Sequence, residues 1–267
     1  MSLWSLVYGA NMDNRYLKDS RASWVDSLNL TLEVGYGRYL IDVTSSELSR
    51  AIDYSVWEAT LGASMSLGDF HFGLNTKALI DEHHSNLSIE NSQRPLNDNA
   101  SISRIDYSLY AHYTLHSNAS LNLTYKYYSL KAQERYLNFR DYDTRFEYHS
   151  SGVALSYLYT IDSDYDGSDI VVGMGGVYNW TKVAIHERVD GVLDDVFIDD
   201  AQGAWGIKLV AGYAYKYDNS YFTAMVDWYG YDFGRLDVRS HFLDEKIEQA
   251  SLTEETYSLR LGYIYKF

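Results

Sequence analysis

From about residue 28 to its last residue the chain repeats one pattern: apolar or aromatic side chains at every second position, in runs of ten or more residues, interrupted by clusters of Gly, Asn, Asp and Ser. A period of two belongs to the extended strand, whose successive side chains point to opposite faces. These runs exceed the five or six residues of an ordinary soluble strand and reach the roughly 9 to 11 that carry a tilted strand across a bilayer. The final segment shows the pattern most plainly. Tyr257, Leu259, Leu261, Tyr263, Tyr265 and Phe267 share one face, and Ser258, Arg260, Gly262, Ile264 and Lys266 share the other. The first face suits hydrocarbon; an arginine and a lysine on the second suit a wet interior.

Tracing the alternation backwards predicts about ten strands, near residues 28–43, 52–67, 70–82, 101–115, 120–134, 144–160, 169–186, 203–217, 221–239 and 255–267. Their connections alternate between short turns (Gly68-Asp69, His116 to Ala119, Asp162 to Asp169, Asp218 to Ser220) and longer polar segments at about 44–51, 83–100, 135–143, 187–202 and 240–254. Short and long connections in strict alternation predict an even-stranded, up-and-down antiparallel β-barrel with both termini at the short-turn end. Composition agrees. Tyrosine is abundant at 27 residues while proline, which would break a strand ladder, occurs once, at Pro95. A soluble sandwich would use shorter strands, and a soluble ligand-binding barrel would carry its charges outside. No run of 18 apolar residues predicts a transmembrane helix, and the first residues lack the pattern of a signal peptide, so the sequence reads as a mature chain.

A chain ending Tyr263-Ile264-Tyr265-Lys266-Phe267, with aromatics at every second position back from a terminal phenylalanine, resembles bacterial outer-membrane β-barrel proteins. The resemblance implies a location in the outer membrane, contact with lipid bilayer and lipopolysaccharide, and both termini in the periplasm. It also implies recognition of the last strand, through Tyr263, Tyr265 and Phe267, by the barrel assembly machinery. Residues 28–267 are expected to form the barrel, as a monomer. Residues 1–27, which mix Leu3, Trp4, Leu6 and Val7 with a charged stretch from Asp13 to Arg21, are expected to be a periplasmic segment or a plug in the lumen.

With the lipid face fixed, the inward positions follow: Glu33, Glu58, His71, Asn75, Lys77, Arg104, Asp106, His112, Lys126, Asn179, Lys208, Asp227, Tyr229 and Arg260. A ten-stranded barrel is only slightly wider than the eight-stranded type that side chains can fill. Buried charges of both signs must be paired or hydrated. A crossing network of ion pairs is therefore expected, with a plugged or narrow lumen; the rival is a water-filled path lined by the same residues.

Candidate chemistry is sparse. Ten strands with a polar core are similar in architecture to the omptin family of outer-membrane proteases, in which an acidic pair and an Asp-x-His pair at the outer rim activate a water. Asp81-Glu82-His83 has the second spacing, and Asp194-Asp195 or Asp199-Asp200 are candidates for the first. The order along the chain is the reverse of the omptin order. His149, His186 and His241 have no serine or acid at a recognisable spacing, so no nucleophile can be named. Asp162-Ser163-Asp164-Tyr165-Asp166-Gly167 copies the opening of a calcium loop but has Gly173 where the bidentate glutamate belongs, which makes Asp162, Asp164 and Asp166 weak Ca2+ candidates beside a plain Asp/Gly turn; no other cofactor is expected. The segment Glu187 to Asp200 holds six carboxylates and one arginine, a loop suited to divalent cations, a basic partner or simple solvation. A net charge of -15 speaks against a nucleic-acid binder. The chain length also suits an autotransporter-type translocator, but ten strands fall short of that family's twelve. The reading that remains is a narrow small-solute channel or a surface binding platform.

Overall fold

The computed structural model describes residues 28–44, 49–80, 88–91, 100–136, 142–163, 167–189, 192–240 and 245–267. The strands are β1 (Leu28–Thr44), β2 (Ser49–Leu67), β3 (Phe70–Leu79), β4 (Ser88–Asn91), β5 (Ala100–His116), β6 (Ala119–Tyr136), β7 (Tyr142–Asp162), β8 (Ser168–Val189), β9 (Val192–Tyr217), β10 (Ser220–Ser240) and β11 (Glu245–Lys266). Neighbours pair antiparallel, and β1 pairs with both β2 and β11, which closes the sheet. Strand β4 lies beside residues 50–53 of β2, beyond the end of β3. It continues the wall position that β3 begins, so the barrel has ten positions.

One end of the barrel carries only tight connections. Gly68-Asp69, Ser117-Asn118 and Asp218-Asn219 are two-residue turns, with Gly68 (φ 61°) and Asp218 (φ 53°) in the left-handed conformation that such hairpins need. The fourth connection runs from 163 to 167. We call this the turn end; both Leu28 and Phe267 lie there. At the other, extended end several segments expected to be loops are paired instead. Strand β9 begins at Val192, not near 203, and is laddered to β8 from Val189↔Val192 onward; β11 begins at Glu245, not near 255. Apolar alternation marks where a strand touches lipid, while its hydrogen-bond ladder continues into water with polar side chains on the outside.

The outer wall has a band of Leu, Ile, Val and Met framed by aromatic residues. Phe70, Phe72, Tyr159, Tyr215, Phe222 and Phe267 edge it at the turn end, and Tyr36, Trp57, Tyr127, Trp180, Trp205 and Tyr257 edge it at the other, all substantially exposed. On β1 and β11 the band spans about ten residues. At ~3.4 Å per residue and a tilt near 40° that is about 25 Å, the height of a hydrocarbon core. Beyond the second girdle the outward positions turn polar, as in the rungs Ser103↔Lys131↔Glu147 and Ser101↔Gln133↔Arg145 and in the exposed pair Arg38–Asp53 at 2.6 Å.

The inner wall does the opposite. Within the band it carries the charged and polar residues, with a smaller apolar cluster of Leu158, Val171, Val210, Tyr221, Met225 and Ile264 on β7 to β11, whereas beyond the band it is lined by Ile41, Val43, Ile102, Leu130, Phe146 and Leu252, all buried in one cluster. The barrel thus changes polarity along its axis: polar side chains are kept inside in lipid, and outside in water. In each medium the apolar face is the one kept from water.

This inversion predicts opposite responses on the two sides of the girdle. Leu32→Arg, outward at mid-band, should lose about 2–4 kcal/mol of stability in vesicles. Ser103→Arg, outward beyond the girdle, should stay within about 0.5 kcal/mol. Leu252→Asp, inward in the extension, should again lose several kcal/mol by burying a charge. Urea titration of folding into vesicles measures all three.

Candidate functional site

The charged inner layer sits at the level of the second girdle, where Asp106 lies beside Tyr107 and Glu58 beside Trp57. Asp106 is its hub: Arg104 grips the carboxylate through two bonds of 2.8 and 3.2 Å, Lys126 approaches to 3.2 Å and Lys77 to 3.6 Å. Lys77 also pairs with Glu58 at 2.9 Å and donates to the Tyr39 hydroxyl at 2.6 Å, while Tyr39 donates to Glu58. Arg104 is held flat between two rings, its guanidinium carbon 4.2 Å from the centres of both Tyr39 and Tyr128, and it donates to Tyr54 at 3.3 Å. Such a sandwich uses the weakly hydrated planar cation where an ammonium would fit badly.

These contacts cross the barrel. Tyr128 on β6 and Glu254 on β11 lie five wall positions apart in either direction, so the hydrogen bond from Tyr128 to Glu254 spans a diameter. Tyr148 of β7 donates to the same carboxylate oxygen at 2.7 Å. Nearer the turn end, Arg260 lies between Asp227 at 2.6 Å and Glu33 at 3.4 Å, with Ser258 also donating to Asp227. Lys208 stands over the Tyr229 ring at 4.8 Å, beside a cavity of about 20 Å³ that Lys126, Thr124 and Asn179 also line. That is room for roughly one water.

Five carboxylates (Glu33, Glu58, Asp106, Asp227, Glu254) therefore meet five cations (Lys77, Arg104, Lys126, Lys208, Arg260), and the layer is neutral. Neutrality and dense donor–acceptor pairing make so many charges tolerable away from bulk water. The arrangement joins opposite walls; it offers no carboxylate or imidazole at an open surface, where a reacting water would be activated.

The fourteen positions assigned inward all lie on the inner wall, with Lys126 the least buried, its side chain 17% exposed. His112 faces His71 edge to ring at 5.6 Å, and His71 meets the Ser66 hydroxyl at 2.7 Å. The structure adds Glu254 and the Tyr39, Tyr54, Tyr128 and Tyr148 ring to the layer. Glu254 lies in the polar segment 240–254, whose composition reads as loop, although counting back by twos from Arg260 places it on the same face. Asp81 and His83, Asp164 and Asp166, and residues 1–27 lie outside the described residues, as do the side chains of Asp162, Asp194 and Asp195. In the β8–β9 ladder Asp194 pairs with Glu187 and Asp195 with His186, so the two aspartates occupy successive register positions.

Breaking the hub should hurt more than replacing it. Asp106→Ala leaves three cations short of a partner and should cost about 3–5 kcal/mol, whereas the pair Arg104→Met with Asp106→Leu, which keeps the layer neutral, should recover much of that loss. Thermal unfolding followed by the heat-dependent gel shift of barrels gives the comparison.

No protein-family model matches the sequence, and no curated protein matches it. Among solved structures the chain is similar to the outer membrane protease OmpT from Escherichia coli, with 11% identity and a TM-score of 0.61 over 93% of this chain and 99% of that one. It is also similar to the translocator domain of the autotransporter NalP from Neisseria meningitidis, with 12% identity and a TM-score of 0.50 over 98% of both chains. At this identity the likeness is one of fold, and the fold is that of the bacterial outer-membrane β-barrels.

Proposed function

We propose that the protein is a surface-displayed binding platform, with the turn end in the periplasm and the extended end outside the cell. The observation that carries this reading is the extension itself. Strands β7 to β11 run about ten residues past the outer girdle, and the apolar cluster to which all ten wall positions except that of β3 and β4 contribute buried residues fills the barrel where the extension begins. Holding a rigid stalk off the membrane serves the presentation of its tip, and a filled lumen serves no transport. The tip hairpin of β8 and β9 carries the six carboxylates between Glu187 and Asp200, which points to a cationic partner. Tyr263, Tyr265 and Phe267 are the residues offered to the assembly machinery during insertion, and lipopolysaccharide is the lipid around the upper girdle.

In planar bilayers the protein should give no discrete conductance steps; regular steps altered by Lys126→Ala would return the channel reading. In vesicles it should retain a polylysine peptide in a salt-sensitive way, and converting Asp194, Asp195, Asp199 and Asp200 to Asn should weaken retention. A tip that binds equally with and without those carboxylates would remove the cationic partner.

The shared ten-position fold of OmpT supports a second reading, a surface protease, with Asp81 and His83 as its water-activating pair. Peptide cleavage lost on Asp81→Asn would establish it. Cleavage unaffected by Asp81→Asn, or never seen, would dismiss it.

A further inference from the structure

Past the girdle at the extended end the outer wall is polar, but its charges are unevenly divided. On β6, β7 and β8 the described outward side chains include Lys131, Arg145 and Lys182 against one carboxylate, Glu147. On β10, β11, β1 and β2 they include five carboxylates, Asp42, Asp53, Asp232, Asp237 and Glu255, against Arg38 and Arg235. The first sector is net positive and the second net negative. They face away from each other: β7, at the centre of the basic sector, lies four wall positions from β11 one way round the barrel and five from β1 the other way.

Both sectors lie within three rungs of the girdle. Counting outward from Tyr127, Lys182 stands on the first rung (Ser129↔His149↔Lys182), Lys131 on the second and Arg145 on the third. Counting outward from Tyr257, Glu255 and Asp53 share the first rung through Leu40, and Asp232 and Asp42 share the second through Thr253. Among the described residues neither Arg145 nor Lys182 has a carboxylate at ion-pair distance, and Lys131 reaches Glu147 only at 3.5 Å with its side chain 56% exposed. Between these strands the basic sector is indented by an open cleft of about 360 Å³, lined by Ser101, Ser103, Lys131, Gln133, Arg145 and Glu147. A cleft edged by under-used cations is suited to receive carboxylates from outside the barrel.

We propose that copies of this chain stand head to tail in the membrane, the β6–β8 sector of one copy against the β10–β2 sector of the next. The apolar band and its girdles set every copy at the same depth, so the two collars meet at the same height and carboxylates of one face cations of the other. A two-fold pair would instead bring like sectors together, which repel; the complementarity selects a heterologous contact that leaves a free sector at each end and continues as a row. Each exposed ion pair contributes little by itself. Several act together here, and confinement to the plane of the membrane raises the effective concentration of each copy for its neighbour. The row replaces the monomer expected from the sequence, and it depends neither on what the tip binds nor on which side of the membrane the extended end faces.

The chain has no cysteine, so single thiols report contact cleanly. Ser129→Cys marks the basic sector and Thr253→Cys the acidic one. Full-length chains carrying one or the other, distinguished by a size tag, are folded together into phosphatidylcholine vesicles containing phosphatidylglycerol and treated with a short bismaleimide. The mixed product should exceed either like-with-like product at least about fivefold, because like-charged faces are excluded from contact. The excess should vanish near 1 M salt, where the screening length falls to about 3 Å. Lys131→Glu with Arg145→Glu and Lys182→Glu on the Ser129→Cys chain should abolish it, and Asp42→Lys with Glu255→Lys on the Thr253→Cys chain should restore it. Rescue by the opposite reversal separates lost attraction from a damaged fold. Equal yields of mixed and like-with-like products, the result if anionic lipid covers the basic sector in place of a second copy, overturn the row, as does an excess that survives the charge reversal.

Discussion

Everything in this molecule depends on the closure of β1 on β11. Sixteen consecutive rungs, from Asn29↔Lys266 to Thr44↔Ser251, leave no free edge between first and last strands. In hydrocarbon each unpaired backbone group costs several kcal/mol, so a sheet in lipid closes or does not insert. Closure then dictates the next problem. Ten strands enclose a space too wide to be left empty, and the charged layer, the tyrosine ring and the apolar core beyond the band are successive solutions along one axis.

The choice of solution tracks the surroundings of each level. Within the lipid band the outside is already apolar, so hydrophobic burial gives the interior no advantage; charges and tyrosine hydroxyls can occupy it if they satisfy each other. At the edge of the band, level with the girdle, Arg104 shows how completely that is done, with rings on both faces, Asp106 across its fork and the Tyr54 hydroxyl at its edge. Above the band the outside is water. Burying Ile41, Val43, Ile102 and Leu252 then contributes the ordinary hydrophobic gain, and the wall stands as a soluble barrel would.

The sequence made the lipid-embedded part legible because period two is strict there: counting from Phe267 assigns Arg260 inward and Leu259 outward without further information. The same count, carried past Tyr257, would have reached Glu254. It was stopped by composition, since Ser251, Thr253, Glu254 and Glu255 look like loop once lipid no longer demands apolar partners. The hub around Asp106 was legible as inward charge but not as a set of contacts, because Arg104, Lys126 and Lys77 come from three strands whose relative heights depend on shear. The rim chemistry was not legible at all; Asp194 and Asp195 sit on successive rungs of a paired strand where the polar composition reads as loop.

The reversal of polarity at the girdle also acts as a draught line. Sliding the barrel by two residues toward its extended end would lift part of the apolar band into water, and sliding it toward its turn end would drag the Arg38–Asp53 pair and the Lys131 rung into hydrocarbon. Both displacements are penalised on every strand at once, so the barrel floats at one depth. The height of its tip above the lipid surface is thereby a fixed dimension of the molecule, set by the number of rungs between Trp205 and Val192.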